Sequence, residues 1–170
     1  MIRRTAILSL FVAALAAPTM AQTPAKPGLA IADVSAWLAA KGGEVSGVQR
    51  EGGQTFFTVK DGALTWAILF YGCEADVCDD IQYSAVFASP SVTLDAVNAW
   101  NTGQRFLKGF YAPGEAGGAP SATVQYDVLL QPGGVDQLND PTSVWIGLLP
   151  QFAARVGGMG AGPAATPPAQ

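Results

Sequence analysis

Residues 64–87 read LTWAILFYGCEADVCDDIQYSAVF. Leu64–Tyr71 is a short run rich in β-branched and aromatic side chains, the composition of a strand. Ile81–Phe87 alternates large apolar with small or polar residues, which suits a strand with one dry face. An acidic loop separates the two. Just upstream, Asp61-Gly62 sits between Leu64–Tyr71 and another such run, Thr55–Lys60, and is a strong two-residue hairpin signal. Glu44–Gln49 adds a further run before it, so 44–87 predicts an antiparallel meander.

Helices flank this meander. In Ala32–Lys41 the apolar positions Val34, Trp37 and Leu38 fall at i, i+3 and i+4, and Gly42-Gly43 supplies a stop. Leu94–Asn101 reads as a second helix, with Ser91 or Thr93 as N-cap, Asp95 placed for the helix dipole, and Leu94, Val97 and Trp100 toward one side. Phe106–Tyr111 and Thr123–Leu130 form another strand pair across a Gly- and Pro-rich loop. The last helix has Asp140 as N-cap, Pro141 at its first position, and a stripe of Trp145, Leu148, Leu149, Phe152 and Val156. Pro150 falls inside it and predicts a kink or two shorter helices. The order α-β-β-β-β-α-β-β-α, with helices on an antiparallel sheet of five to six strands, defines an α+β domain.

Both ends of the chain read differently. Arg3 and Arg4, the apolar run Ile7–Ala17 and the small residues of Thr19-Met20-Ala21 have the pattern of a signal peptide over 1–21. Residues 22–28 read as a linker, 29–156 as the folded domain, and 157–170, almost entirely Gly, Ala and Pro, as a disordered tail. The expectation is export to the periplasm or beyond, with no membrane span in the mature chain.

Composition narrows the chemistry. The 170 residues hold 13 acidic and 9 basic side chains, a net charge of −4, and no histidine. Outside the Arg3-Arg4 pair the 7 remaining basic residues are scattered singly, which argues against a nucleic-acid partner. Without imidazole there is no Ser-His-Asp or Cys-His pair and no zinc site of the usual His-containing kinds. Cys73 and Cys78, the two cysteines, read most simply as a disulfide in an oxidising compartment; a redox pair or a metal site are the rival readings. Glu74, Asp76, Asp79 and Asp80 surround them, either as a solvated acidic loop or as oxygen ligands for a cation such as calcium. Trp37, Trp66, Trp100, Trp145, Tyr71, Tyr83, Tyr111 and Tyr126 have the spacing of core faces. No catalytic, metal-binding or cofactor-binding residues are assigned.

The stretches LFYGCEADVCDDIQYSAVF (69–87) and NAWNTGQRF (98–106), with a Gly133-Gly134-Val135 turn before the last helix, resemble the YbjN-domain family, described as bacterial sensory transduction regulators. The residues that carry the likeness are Tyr71, Gly72, Cys73, Cys78, Trp100, Asn101, Arg105 and Phe106. The resemblance implies a domain similar to type III secretion chaperones and no catalytic residues. Exported members similarly carry a leader and the cysteine pair, which supports a Cys73–Cys78 bridge. Within that frame Trp100 buries its ring against the sheet, Asn101 ends its helix, and Arg105 holds a carboxylate or helix carbonyls. The alternative has Trp100 and Arg105 exposed together as a partner anchor.

Two function classes follow from these readings. One is a non-enzymatic binding or chaperone-like module of the envelope whose partner is another envelope protein or a second copy of the chain. The other is a periplasmic small-molecule or ion-binding protein, or a carboxylate-dependent hydrolase. A deep pocket with convergent polar groups favours the second, and an exposed apolar surface the first.

Overall fold

The computed structural model describes residues 27–115 and 117–157. The expected signal peptide, most of the expected linker and the expected tail from 158 lie outside these residues. The chain runs β1 (Leu29–Ala30), α1 (Ile31–Ala40), β2 (Glu44–Val45), β3 (Gln49–Glu51), β4 (Gln54–Asp61), β5 (Leu64–Glu74) and β6 (Val77–Ala88). It continues through α2 (Leu94–Gly103), β7 (Lys108–Ala112), β8 (Ser121–Leu129), a 3-10 turn (Val135–Leu138) and α3 (Asn139–Arg155). The sheet is antiparallel, in the order β2-β4-β5-β6-β8-β7, with β3 paired to β4 and β1 to β6.

Eight strands stand where five to six are predicted, for two reasons. The run predicted over 44–49 is one edge strand broken by a bulge. Val45 pairs with Val59 but Gln49 with Phe56, a register shift of one residue, so an extra residue is inserted around Gly47. Ser46 bridges the gap, its N–H donating to the Thr58 carbonyl (2.9 Å) and its Oγ accepting from the Thr58 N–H (2.9 Å). The second reason is β1, formed by the first two residues of the expected domain, for which no strand is predicted. Leu29 and Ala30 pair with Cys78 and Val77, occupying the positions on β6 that β8 leaves beyond Asp80–Leu129.

Strand alternation divides the sheet. Phe57 and Val59, Trp66, Ile68 and Phe70, Ile81, Tyr83 and Ala85, and Ala122 and Val124 face one side, where all three helices contribute to a single buried cluster. Phe56, Ala67 and Leu69 face the other, with Tyr71 against them, and no helical residue joins that cluster. Tyr71 is thus the aromatic that the spacing misassigns: it packs opposite the main core. Trp66, Trp100, Trp145 and Tyr83 are buried in the main core, with Trp37, Tyr111 and Tyr126 half-buried against it.

Helix ends follow local chemistry. Gly42 takes φ +97°; its N–H bonds the Ala39 carbonyl and that of Gly43 the Leu38 carbonyl, the paired arrangement that closes α1. Thr93 caps α2, its Oγ1 accepting from Ala96 N–H (3.2 Å). Leu94 turns outward, exposed, while Val97 and Trp100 face the core. The predicted cap at Asp140 is corrected: α3 is entered from the 3-10 turn at Leu138 without a side-chain cap, and Asp140 lies in the first turn, beside the positive end of the dipole. Pro141 still occupies a first-turn position whose N–H has no intrahelical partner. Of the two outcomes expected at Pro150, the division into two shorter helices does not occur, because α3 runs continuously to Arg155. The bond lost there belongs to the carbonyl of Ile146, and both residues face solvent, so water can replace it.

At the centre Trp66, Tyr83 and Trp145 meet with ring centroids 5.6–6.0 Å apart. The Tyr83 hydroxyl and Thr142 Oγ1 share a 2.7 Å hydrogen bond that ties β6 to α3. Burial pushes the Tyr83 hydroxyl up to about 12, partly offset by the Thr142 bond. In the unfolded chain it ionises near 10, so the folded state binds the extra proton between these values. Stability contributed by neutral Tyr83 is complete below pH 10 and falls as pH rises toward 12. Urea midpoints should drop more steeply from pH 10 to 11.5 in the parent than in Tyr83→Phe; parallel curves would contradict this.

Candidate functional site

The motif Trp100-Asn101…Arg105-Phe106 straddles the end of α2 and the approach to β7. Val97 and Trp100 anchor the inner face of the helix, and the chain must then reverse to begin the strand at Lys108. Trp100 is buried, its ring edge-on to Phe152 at 5.2 Å, and its Nε1–H donates to the Leu107 carbonyl at 3.0 Å. Asn101 does not end the helix, as the sequence suggests; α2 continues to Gly103. Its amide instead grips the strand: Nδ2–H donates to the Gly109 carbonyl (2.8 Å) and Oδ1 accepts the Gly109 N–H (2.7 Å). One donor and one acceptor from a side chain thus occupy the place that a neighbouring strand would take on the outer edge of β7. Gly109 is required by close approach, since a Cβ there would lie 2.8 Å from Phe152 Cε2 and 3.1 Å from Val97 Cγ1.

Arg105 takes neither role expected of it. Its guanidinium lies over the Phe106 ring, 5.2 Å from the centroid. Lys108 serves the helix end instead, its Nζ donating to the carbonyls of Asn101 and Gln104. The motif therefore splits. Trp100 and Asn101 build the corner, while Arg105 and Phe106 are exposed, Phe106 at 42% with its ring edge against Tyr126.

Two open clefts lie along α3, the first of them bordering this exposed pair. One, about 450 Å³, lies between Arg105-Phe106 and the α3 residues Val144, Gly147 and Leu148. The other, about 300 Å³, runs on between Trp100 and Arg155. They share Gly103, Gln104 and Gln151 and so form one groove along α3. A groove with an exposed phenyl ring and half-buried aliphatic walls can desolvate apolar side chains of a partner.

No family model and no curated protein matches the chain. Among solved structures it is similar to YbjN from E. coli, whose role as a transcription regulator is itself a proposal, at 16% identity and a TM-score of 0.43, over 73% of this chain and 83% of that one.

The cysteine hairpin is a separate feature. Cys73 and Cys78 face each other across β5 and β6 and are joined, Cα atoms 3.9 Å apart. The predicted acidic loop is corrected: both strands run through it, leaving only Ala75 and Asp76 as the turn, each at positive φ (50° and 62°). Such a turn matches strand twist but is disfavoured for Ala. It is held by Arg50 Nη2 on Asp76 Oδ1 (2.7 Å) and by the Ile31 N–H on the Asp76 carbonyl (3.0 Å). Gly72, at φ +59°, fits only without a side chain, since a Cβ would overlap the Asp79 carboxylate. Among the described residues no group of three His, Cys, Asp or Glu side chains converges on a metal position. Opening a ring this small costs about 2 kcal/mol of loop entropy. Cys73→Ala/Cys78→Ala should therefore lower stability by about that amount, and intact mass of the non-reduced parent should be lighter by two hydrogens; free thiols in the isolated protein would contradict the bridge.

On the sheet face opposite the helices, Tyr71, Asp80, Gln82 and Asp127 come together. Gln82 Nε2–H donates to Asp127 Oδ1 at 2.6 Å, and the Tyr71 hydroxyl reaches Gln82 Oε1 at 3.5 Å. Asp80 Oδ1 is buried with no hydrogen-bond partner among the described residues. Burial first, then the charges of Asp127 and Asp79, raises the Asp80 carboxyl above its usual range. Because its folded value is raised, its stabilising contribution is present below the unfolded value and lost as pH rises. Asp80→Asn should accordingly raise the melting temperature at pH 7 while changing it little at pH 3; a loss at pH 7 would show that the charge is held by a favourable partner.

A third cleft, about 480 Å³, opens beside α1 between Asp33, Trp37 and the Gly133-Gly134 turn. Lys41 Nζ sits over the Trp37 ring at 4.5 Å. Among the described residues Asp33 is the only ionisable one lining this cleft, so none of their other charged groups converges with it.

The sequence reading missed Lys108, Gly109 and the Gln82–Asp127 pair. Gly109 had a visible signal, a glycine in a strand, which marks close backbone approach. The others meet only through tertiary packing.

Proposed function

We propose that this chain is an exported, non-enzymatic binding module of the bacterial envelope that docks a protein partner in the groove between the α2–β7 corner and α3. The observation that carries this reading is the exposure of Phe106 beneath the Arg105 guanidinium, at the mouth of a groove with apolar walls. Large apolar residues at such positions anchor interfaces. The leader pattern and the Cys73–Cys78 bridge support passage to an oxidising compartment. The corner built by Trp100 and Asn101 keeps the groove rigid, so a partner meets a preformed surface.

The test places a photo-crosslinking amino acid at Phe106 in the full chain expressed in cells. Discrete adducts with one protein, absent when the same group replaces exposed Leu94, are expected. Adducts equally abundant from both positions, or from neither, would overturn the proposal.

A further inference from the structure

The groove has a charge opposite to that of the chain around it. Acidic residues outnumber basic ones, 13 to 9, yet neither cleft has Asp or Glu among its lining residues, and each contributes an arginine, Arg105 in one and Arg155 in the other. Arg155 is exposed in the last turn of α3 and Arg105 lies over Phe106. The other basic side chains with identified contacts are engaged elsewhere: Arg50 with Asp76, Lys60 with Glu44, Lys41 over Trp37. Lys108 satisfies the Asn101 and Gln104 carbonyls, offsetting the negative end of the α2 dipole that would otherwise face the groove. From Ser143 to Arg155 the helix wall is about 18 Å long at 1.5 Å per residue. An extended chain covers that length in about five or six residues.

Resting on the binding role proposed above, we infer that the occupant is a short peptide segment with apolar residues at its centre and carboxylates toward its ends, the apolar side chains lying on Phe106, Val144 and Leu148 and the carboxylates meeting Arg105 and Arg155. Guanidinium–carboxylate pairs are directional and can be bidentate, so they fix the orientation of a segment whose apolar contacts alone would not. Their contribution falls as salt rises, since both arginines are exposed.

Three synthetic octapeptides test this by fluorescence anisotropy against the full chain. They share a Leu/Phe centre and carry Glu, Gln or Lys at both flanks. The Glu peptide should bind at least tenfold tighter than the Lys peptide, with the advantage shrinking between 50 and 300 mM salt. The double charge reversal Arg105→Glu/Arg155→Glu, confirmed folded by its melting curve, should reverse the order. Should the reversal fail to fold, Arg105→Gln/Arg155→Gln should erase the discrimination. Equal binding of all three peptides, a preference that survives the substitutions, or no binding at millimolar peptide would overturn the acidic-segment inference. In those cases persistent Phe106 adducts leave the docking groove standing; loss of the adducts removes both.

Discussion

Trp100→Ala should cost about 3 to 5 kcal/mol of stability, the usual range for deleting a large buried aromatic side chain. The ring fills the space between α2, β7 and Phe152, and its N–H is the partner of the Leu107 carbonyl. Truncation leaves both a cavity and a buried carbonyl without its donor, and these add. For a domain of this size the loss corresponds to a fall in melting temperature of roughly 10 to 20 °C. Urea unfolding at constant m-value reads it directly. A shift below about 1 kcal/mol would show that the corner collapses onto the vacancy and that Trp100 is not its anchor. Trp100→Phe separates the two contributions, because it restores most of the volume but not the N–H.

Asn101→Ala should cost about 2 to 4 kcal/mol, from two backbone groups of buried Gly109 left unpaired at about 1 to 3 kcal/mol each and partly regained by relaxation. The effect is larger than an exposed helix residue would give, since a surface substitution there is ordinarily within about 0.5 kcal/mol. Asn101→Asp retains the acceptor for Gly109 N–H but presents a carboxylate to the Gly109 carbonyl, so it should be no better than Ala. Asn101→Gln carries the same groups one methylene too far and should recover only part of the loss. Hydrogen exchange at the Gly109 amide distinguishes this account from general helix weakening: in Asn101→Ala that amide should lose protection before the amides of α2. Uniform loss across α2 with Gly109 unchanged would contradict the assigned bond.

The elements that were legible in the sequence are those with short-range signals. Asp61-Gly62 marks the β4–β5 hairpin, although the turn is Gly62-Ala63, with Asp61 already paired to Leu64. The punctuation by Gly42-Gly43 and Thr93 reports helix ends because caps are made from the chain's own neighbours. Alternation along Ile81–Phe87 places Tyr83 and Phe87 in the core for the same reason. The errors share a different cause. The acidic segment 74–80 has the composition of a loop, yet strand pairing, the Cys73–Cys78 bridge and β1 on its far side hold it extended on both sides of the Ala75-Asp76 turn. Pro150 reads as a breaker, but the sequence does not say which carbonyl loses its partner or whether that carbonyl faces water. At Trp100-Asn101 the residues were identified and the reach of their side chains was not. The partners of Asn101 lie eight residues away, across a reversal whose geometry depends on Trp100 being packed.

The division of the motif into a structural pair and an exposed pair is tested most directly by measuring melting temperature and Phe106-region crosslinking together. Arg105 is the suitable site for the photo-crosslinking group in this experiment, with the second substitution placed at Phe106 or Asn101. Phe106→Ser should leave the melting temperature within about 2 °C of the parent, as an exposed side chain does, and should abolish the adduct from position 105. Asn101→Ala, assayed well below its lowered melting temperature, should melt several degrees lower and keep the adduct. If instead Phe106→Ser melts as low as Asn101→Ala with adduct yield unchanged, Phe106 belongs to the core and the groove is not the docking surface.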